Sequence, residues 1–116
     1  FIGRIEDRGL DTRIGWEPRG KWLNDLEALK SIFEHNERLI HIVDPLHHKP
    51  IVIRDVAYFR LHGKPYLNYK YRYTPQDYEA IKRMMKGWKK AKMVFIMFNN
   101  VYMDSDAIAA MDALVI

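Results

Sequence analysis

The chain contains no cysteine. Disulfides, thiolate metal sites and cysteine nucleophiles are therefore excluded, and the fold has to be held by packing and association. Serine is nearly as scarce, with only Ser31 and Ser105, both inside helical patterns and so neither on the strand-end elbow that a serine nucleophile requires. The six glycines form neither G-x-G-x-x-G nor a P-loop, so no phosphate-cradling motif specifies a cofactor. There is no run of 18 apolar residues, no charged-then-apolar leader and no lipidation motif. These absences lead us to expect a soluble, cytoplasmic protein without a membrane partner. The chain opens at Phe1, and Phe1 to Leu10 reads as the last turns of a helix with Gly9 just past its end. Such a start is expected where a chain is trimmed or lies inside a larger architecture.

What is present suits one globular domain over residues 1–116, since 48% hydrophobic and 13% aromatic residues suffice for a core. The net charge of +4 attracts anions but falls short of a nucleic-acid-binding arm. Thr12 to Glu17 reads as a short strand ended by Pro18, with Ile14 and Trp16 on one face and Gly15 and Glu17 on the other. Asn24 with Glu27 forms a candidate capping box for a helix whose stripe is Leu26, Leu29, Ile32 and Phe33, ending near Asn36. Leu39 to Val43 is a second strand, stopped at Asp44-Pro45. Pro45 to Asp55 has no helical period and reads as a connection.

The organising stretch is the third strand, Ala57 to Gly63, where an apolar run takes on Arg60, His62 and Gly63. Alternation puts Tyr58, Arg60 and His62 on one face and Ala57, Phe59 and Leu61 on the other. Pro65 to Tyr73 is extended or loop-like. Thr74-Pro75, with Asp77 in the first turn, starts a helix buried through Tyr78, Ile81, Met85 and Trp88, with lysines on its open face and toward its C-terminus. Met93 to Phe98 is apolar on both alternating sets, the pattern of a strand covered on each side. A last helix is expected after an Asp104 or Ser105 cap, apolar at Ile108, Met111 and Val115.

The order strand, helix, strand, connection, strand, helix, strand, helix predicts α/β construction on four parallel strands. Glu17 and Arg19, Asp44, His62, and Asn99 and Asn100 then all fall at strand carboxyl ends, on the edge where α/β proteins place their sites. Glu17 and His62 are the candidates for proton transfer. Arg19, Asp44, Arg60, Tyr69, Asn99 and Asn100 are the candidates for ligand binding. A buried Arg60 needs a partner, which Glu17 or Asp44 supplies. A metal reading built on His41, Asp44, His47, His48 and His62 lacks one-face spacing, and no metal is assigned.

The pieces Trp16-Glu17-Pro18-Arg19-Gly20 with Trp22, Val43-Asp44-Pro45, Tyr58-Phe59-Arg60-Leu61-His62-Gly63, Tyr69-x-Tyr71-x-Tyr73, and Phe98-Asn99-Asn100 followed by Asp106-Ala107 resemble the YecE-like family, domain of unknown function number seventy-two. That resemblance implies a TIM-type (β/α) barrel about twice this long, of which the chain matches the C-terminal half. Four strands do not close such a barrel, so a homo-oligomer, or pairing with a separately encoded N-terminal half, is expected. The family carries no assigned activity.

The functional expectation is thus a small-molecule or acid–base site at the strand ends, taking an anionic or polyhydroxyl ligand. A non-catalytic oligomeric scaffold or binding module is the alternative. Nucleic-acid binding, through Tyr66, Tyr69, Tyr71 and Tyr73 and the lysines from Lys82 to Lys92, is the weaker reading, because those lysines follow the open face of a helix.

Overall fold

A computed structural model describes residues 12–114. The helix end expected over Phe1 to Leu10, and Val115, lie outside the described residues. Four strands, β1 Ile14–Trp16, β2 Leu39–Val43, β3 Val56–Leu61 and β4 Met93–Phe98, form one sheet in the order β1-β2-β3-β4, every neighbouring pair parallel. Three helices, α1 Leu26–His35, α2 Pro75–Met85 and α3 Met103–Ala113, complete a half-barrel-like α/β arrangement.

One sheet face carries the helices. Phe33, Leu29 and Leu39 pack with Ile14 and Trp16, while Ala57, Phe59, Leu61 and Val43 pack with Tyr78, Ile81 and Trp88. Phe59 is the hub of the second group, stacked on Trp88 at 4.2 Å between ring centres. Burying a side chain of this size contributes about 2 to 3 kcal/mol.

The start of α2 follows the sequence closely. Thr74 caps it, Pro75 opens it, and the Thr74 and Asp77 side chains bond each other's backbone N–H groups in a reciprocal box. Asp77 is more than a first-turn charge: it is buried and also accepts from Lys64 Nζ and Tyr71 Oη, both at 2.5 Å. Burial would raise its pKa, but these donors outweigh burial and hold it below the ordinary carboxylate value. Loop 64–73 is thereby sewn to the helix start.

Several expectations are corrected. Asp25, not Asn24, caps α1 by accepting from Ala28 N at 3.1 Å, because residues 20–24 form a 3-10 turn that ends at Asn24. Leu26 is consequently rotated off the core side and exposed. Helix α2 stops at Met85, and Trp88 reaches the core from the following turn, so Lys86, Lys89 and Lys90 lie past the helix end. Neither Asp104 nor Ser105 caps α3; its N-cap is Tyr102, without a side-chain bond. Ile108 and Met111 face outward, and α3 meets the protein through Asp106 and Ala110. Strand β3 ends at Leu61, which leaves His62 and Gly63 just beyond it.

The largest correction concerns β4, which is covered on one face only. Met93, Phe95 and Met97 are 55%, 41% and 45% exposed, because β4 is an edge strand and no described element lies over the inner sheet face.

Gly63 has φ +86°, and a Cβ there would stand 2.0 Å from the Asn68 carbonyl oxygen. The glycine thus admits a loop backbone, and an alanine meets both left-handed strain and a clash. Gly63→Ala is expected to lower unfolding free energy on the order of 2 to 4 kcal/mol, read as a lower urea midpoint. An unchanged midpoint would contradict this close approach.

Candidate functional site

The strand ends bring Glu17, Arg19, Arg60, His62 and Asn99 into one network. Glu17 Oε2 accepts from His62 Nε2 at 2.7 Å, and its Oε1 accepts from the Arg60 guanidinium at 2.8 Å. Arg19 reaches Oε2 at 3.4 Å, and Asn99 Nδ2 lies 3.4 Å from His62 Nδ1. The two ring nitrogens of His62 thus face Glu17 and Asn99, with Nε2 directed at the carboxylate.

Strand register explains the convergence. Gly15 pairs with Ile40, and Ile42 with Tyr58, so Glu17 and the Tyr58, Arg60, His62 set project from the same inner face. Arg60 finds its partner in Glu17 rather than Asp44, and its side chain is 35% exposed instead of buried. The His62 side chain is at 0% and that of Arg19 at 52%. The guanidinium groups, not the imidazole, therefore meet solvent.

Glu17 is tuned by this setting. Burial acts to raise its pKa, but the hydrogen bond and charge of His62, with the charges of Arg19 and Arg60, outweigh burial and hold it below 4.5. At neutral pH it is a carboxylate, able to accept a proton rather than supply one.

Asp44 frames this cluster. It is buried, its Oδ2 accepts from the His62 backbone N–H at 2.9 Å, and its Oδ1 accepts from Leu46 N–H at 3.0 Å. Asn100 is buried elsewhere, its Nδ2 donating to Tyr71 O and Asp106 Oδ2 at 2.8 Å each. Tyr69 is exposed and contributes its backbone oxygen to Val101 N–H. Tyr71 and Tyr73 bind Asp77 and the Gly63 N–H, so these rings serve the loop.

Two contributors stand outside the candidate site residues named above. Tyr66 packs edge-on against His62 at 5.5 Å and against His47 at 5.2 Å, closing over the imidazole. Arg54 donates to the carbonyls of Phe33, Asn36 and Leu39, tying the crossover to the end of α1 and the start of β2. Neither carries a sequence signal, since both depend on contacts between distant segments.

His41 is a core residue on the helix side. Its Nδ1 accepts from Ile51 N–H at 2.9 Å, its ring lies against Phe33, and burial, aided by the charge of His48, pushes its pKa down to about 4. Among the described residues no three His, Asp or Glu side chains are grouped as a metal site.

These shifts set two acid windows. The unfolded chain protonates His41 near 6.5 and the folded protein only near 4, so stability present at neutral pH is lost as pH falls across that interval. Glu17 acts lower, its contribution being present above 4.5 and lost as pH drops through its depressed folded value. Urea midpoints measured against pH are expected to fall less over the upper window in His41→Asn and less over the lower one in Glu17→Gln. Parallel curves for wild type and both variants would contradict the assignment.

No curated protein and no solved structure matches the chain significantly. The sequence model of the family described as "Protein of unknown function DUF72" matches residues 8–115, which bears out the resemblance read from the motifs. The chain belongs to the DUF72 family.

Proposed function

We propose that the strand-end cluster is a small-ligand site for an anionic or polyhydroxyl molecule, with Glu17 and His62 as a proton-transfer pair. The observation that carries this reading is the graded arrangement of the cluster. A buried imidazole donates to an ionised Glu17, and Glu17 is flanked by Arg60 and Arg19, whose exposed guanidinium donors suit a phosphate or carboxylate. Asn99 adds an amide next to the same imidazole. Asp44 holds the His62 backbone in place, while Asn100 and Tyr69 tie together the loops beside the site through Tyr71 O and Val101 N–H. The chemistry is acid–base in type, with Glu17 taking a proton from the ligand and the His62 bond holding the carboxylate in position.

The second reading is a non-catalytic scaffold or binding module, favoured by the complete burial of His62 and by Glu17 having both oxygens engaged within the protein. Titration with glucose 6-phosphate and with inorganic phosphate, followed by amide shifts, separates the two. The site reading expects saturable shifts at Arg60, His62 and Asn99, weakened roughly tenfold or more by Arg60→Gln. Shifts absent there, together with a stability loss in His62→Ala and Glu17→Gln, would leave only the scaffold.

Association belongs to the same proposal. Among the described residues, β1 and β4 each have an unpaired edge, and the Met93, Phe95, Met97 face is open. Such surface favours a second half-barrel, from another copy of this chain or from a separate N-terminal half. Light scattering on a gel-filtration column is expected to give a mass above one chain, or to do so once that half is added. A monodisperse monomer at micromolar concentration with both would overturn it.

A further inference from the structure

Among the described residues, β1 reaches β2 through α1 and β3 reaches β4 through α2, whereas residues 44–55 carry β2 to β3 without a helix. Parallel crossovers ordinarily lay a helix on the sheet. Here the connection leaves a hollow of about 440 Å³ between itself and the end of α2. Leu46, Ile53, Met84 and Trp88 form its apolar wall, and His48 and Lys49 its polar part. An adjoining hollow of about 530 Å³ shares Ile53 and Gly87 with it and is bordered by Lys86, Lys89 and Lys90. Among the described residues no carboxylate lines either one.

The walls are held before any ligand arrives. Asp44 O accepts from the N–H groups of His47 and His48, Ile51 N–H is tied to His41, and Arg54 is anchored on three carbonyls around the end of α1. Trp88 is nearly buried and stacked on Phe59. A preformed wall spares a ligand the ordering cost, and the volume lies in the usual range for small-molecule sites. The lysines are placed for the same purpose. Because α2 ends at Met85, Lys86, Lys89 and Lys90 border the adjoining hollow instead of continuing the solvated face of the helix.

We propose that this hollow is a second binding site, separate from the strand-end cluster and on the opposite sheet face, for a small amphipathic carboxylate. Its acyl or aryl body lies against Met84 and Trp88, and its carboxylate points to the lysine-bordered end. Apolar burial supplies the attraction and the cations the orientation.

Calorimetric titration of the full chain with octanoate and with octan-1-ol tests this. Octanoate is expected to bind saturably and octan-1-ol roughly tenfold more weakly. Met84→Trp, which fills the hollow, abolishes binding; Lys49→Glu with Lys89→Glu weakens octanoate toward the alcohol; Phe95→Ser, on the other face, changes neither. Should Met84→Trp fail to fold, intermolecular NOEs from the octanoate chain to the Trp88 indole of the unaltered protein decide the matter. Absence of saturable binding up to about 5 mM, equal affinity for acid and alcohol, loss in Phe95→Ser, or no NOE to Trp88 would each overturn the proposal.

Discussion

The carboxylate of Asp44 is the interaction on which the strand-end site depends. One oxygen receives the backbone N–H of His62 and the other that of Leu46, so the ends of β2 and β3 are joined at a single buried side chain. Fixing the His62 backbone aims its ring at Glu17 across the strand between them. The Asp44 carbonyl also closes the turn through His47 and His48, which starts the helix-free crossover. A site on one sheet face and a hollow on the other thus share one anchor. A buried carboxylate serves this purpose because it accepts several N–H groups at once and is costly to leave unpaired.

The second constraint is geometric. Four parallel strands twist into an arc, and an arc has two unpaired edges and an inner face. The helices cover only the outer face, which leaves Met93, Phe95 and Met97 with nothing described above them. The polar residues at the strand ends follow the same geometry. Parallel strands all finish on one edge, and alternation sends Glu17, Arg60 and His62 to the inner side together. The charge network is a consequence of strand direction and register before it is a matter of chemistry.

How much of this was legible in the chain varied with the range of the interaction. The capping box of Thr74 and Asp77 involves residues three apart, and it was readable and is present. Strand alternation is equally local, and it correctly put Arg60 and His62 on one face and Phe59 and Leu61 on the other. The α1 cap was missed because the 3-10 turn before it competes for Asn24. The stripe of α3 was missed because apolar spacing identifies a helix face but not what lies opposite it; Asp106 took the inner side through bonds to Tyr73 and Asn100.

By itself, then, the sequence determined the order of the elements, their parallel sense and the strand-end positions of Glu17, Asp44, His62 and Asn99, since these depend on periodicity, caps and turns within a few residues. Only the tertiary structure decided which of those groups touch, that His62 is enclosed while Arg60 is not, that Tyr66 and Arg54 take part, and that a hollow opens beneath the crossover. Each of these rests on contacts between segments far apart in the chain, and such contacts arise from packing, which no local pattern encodes.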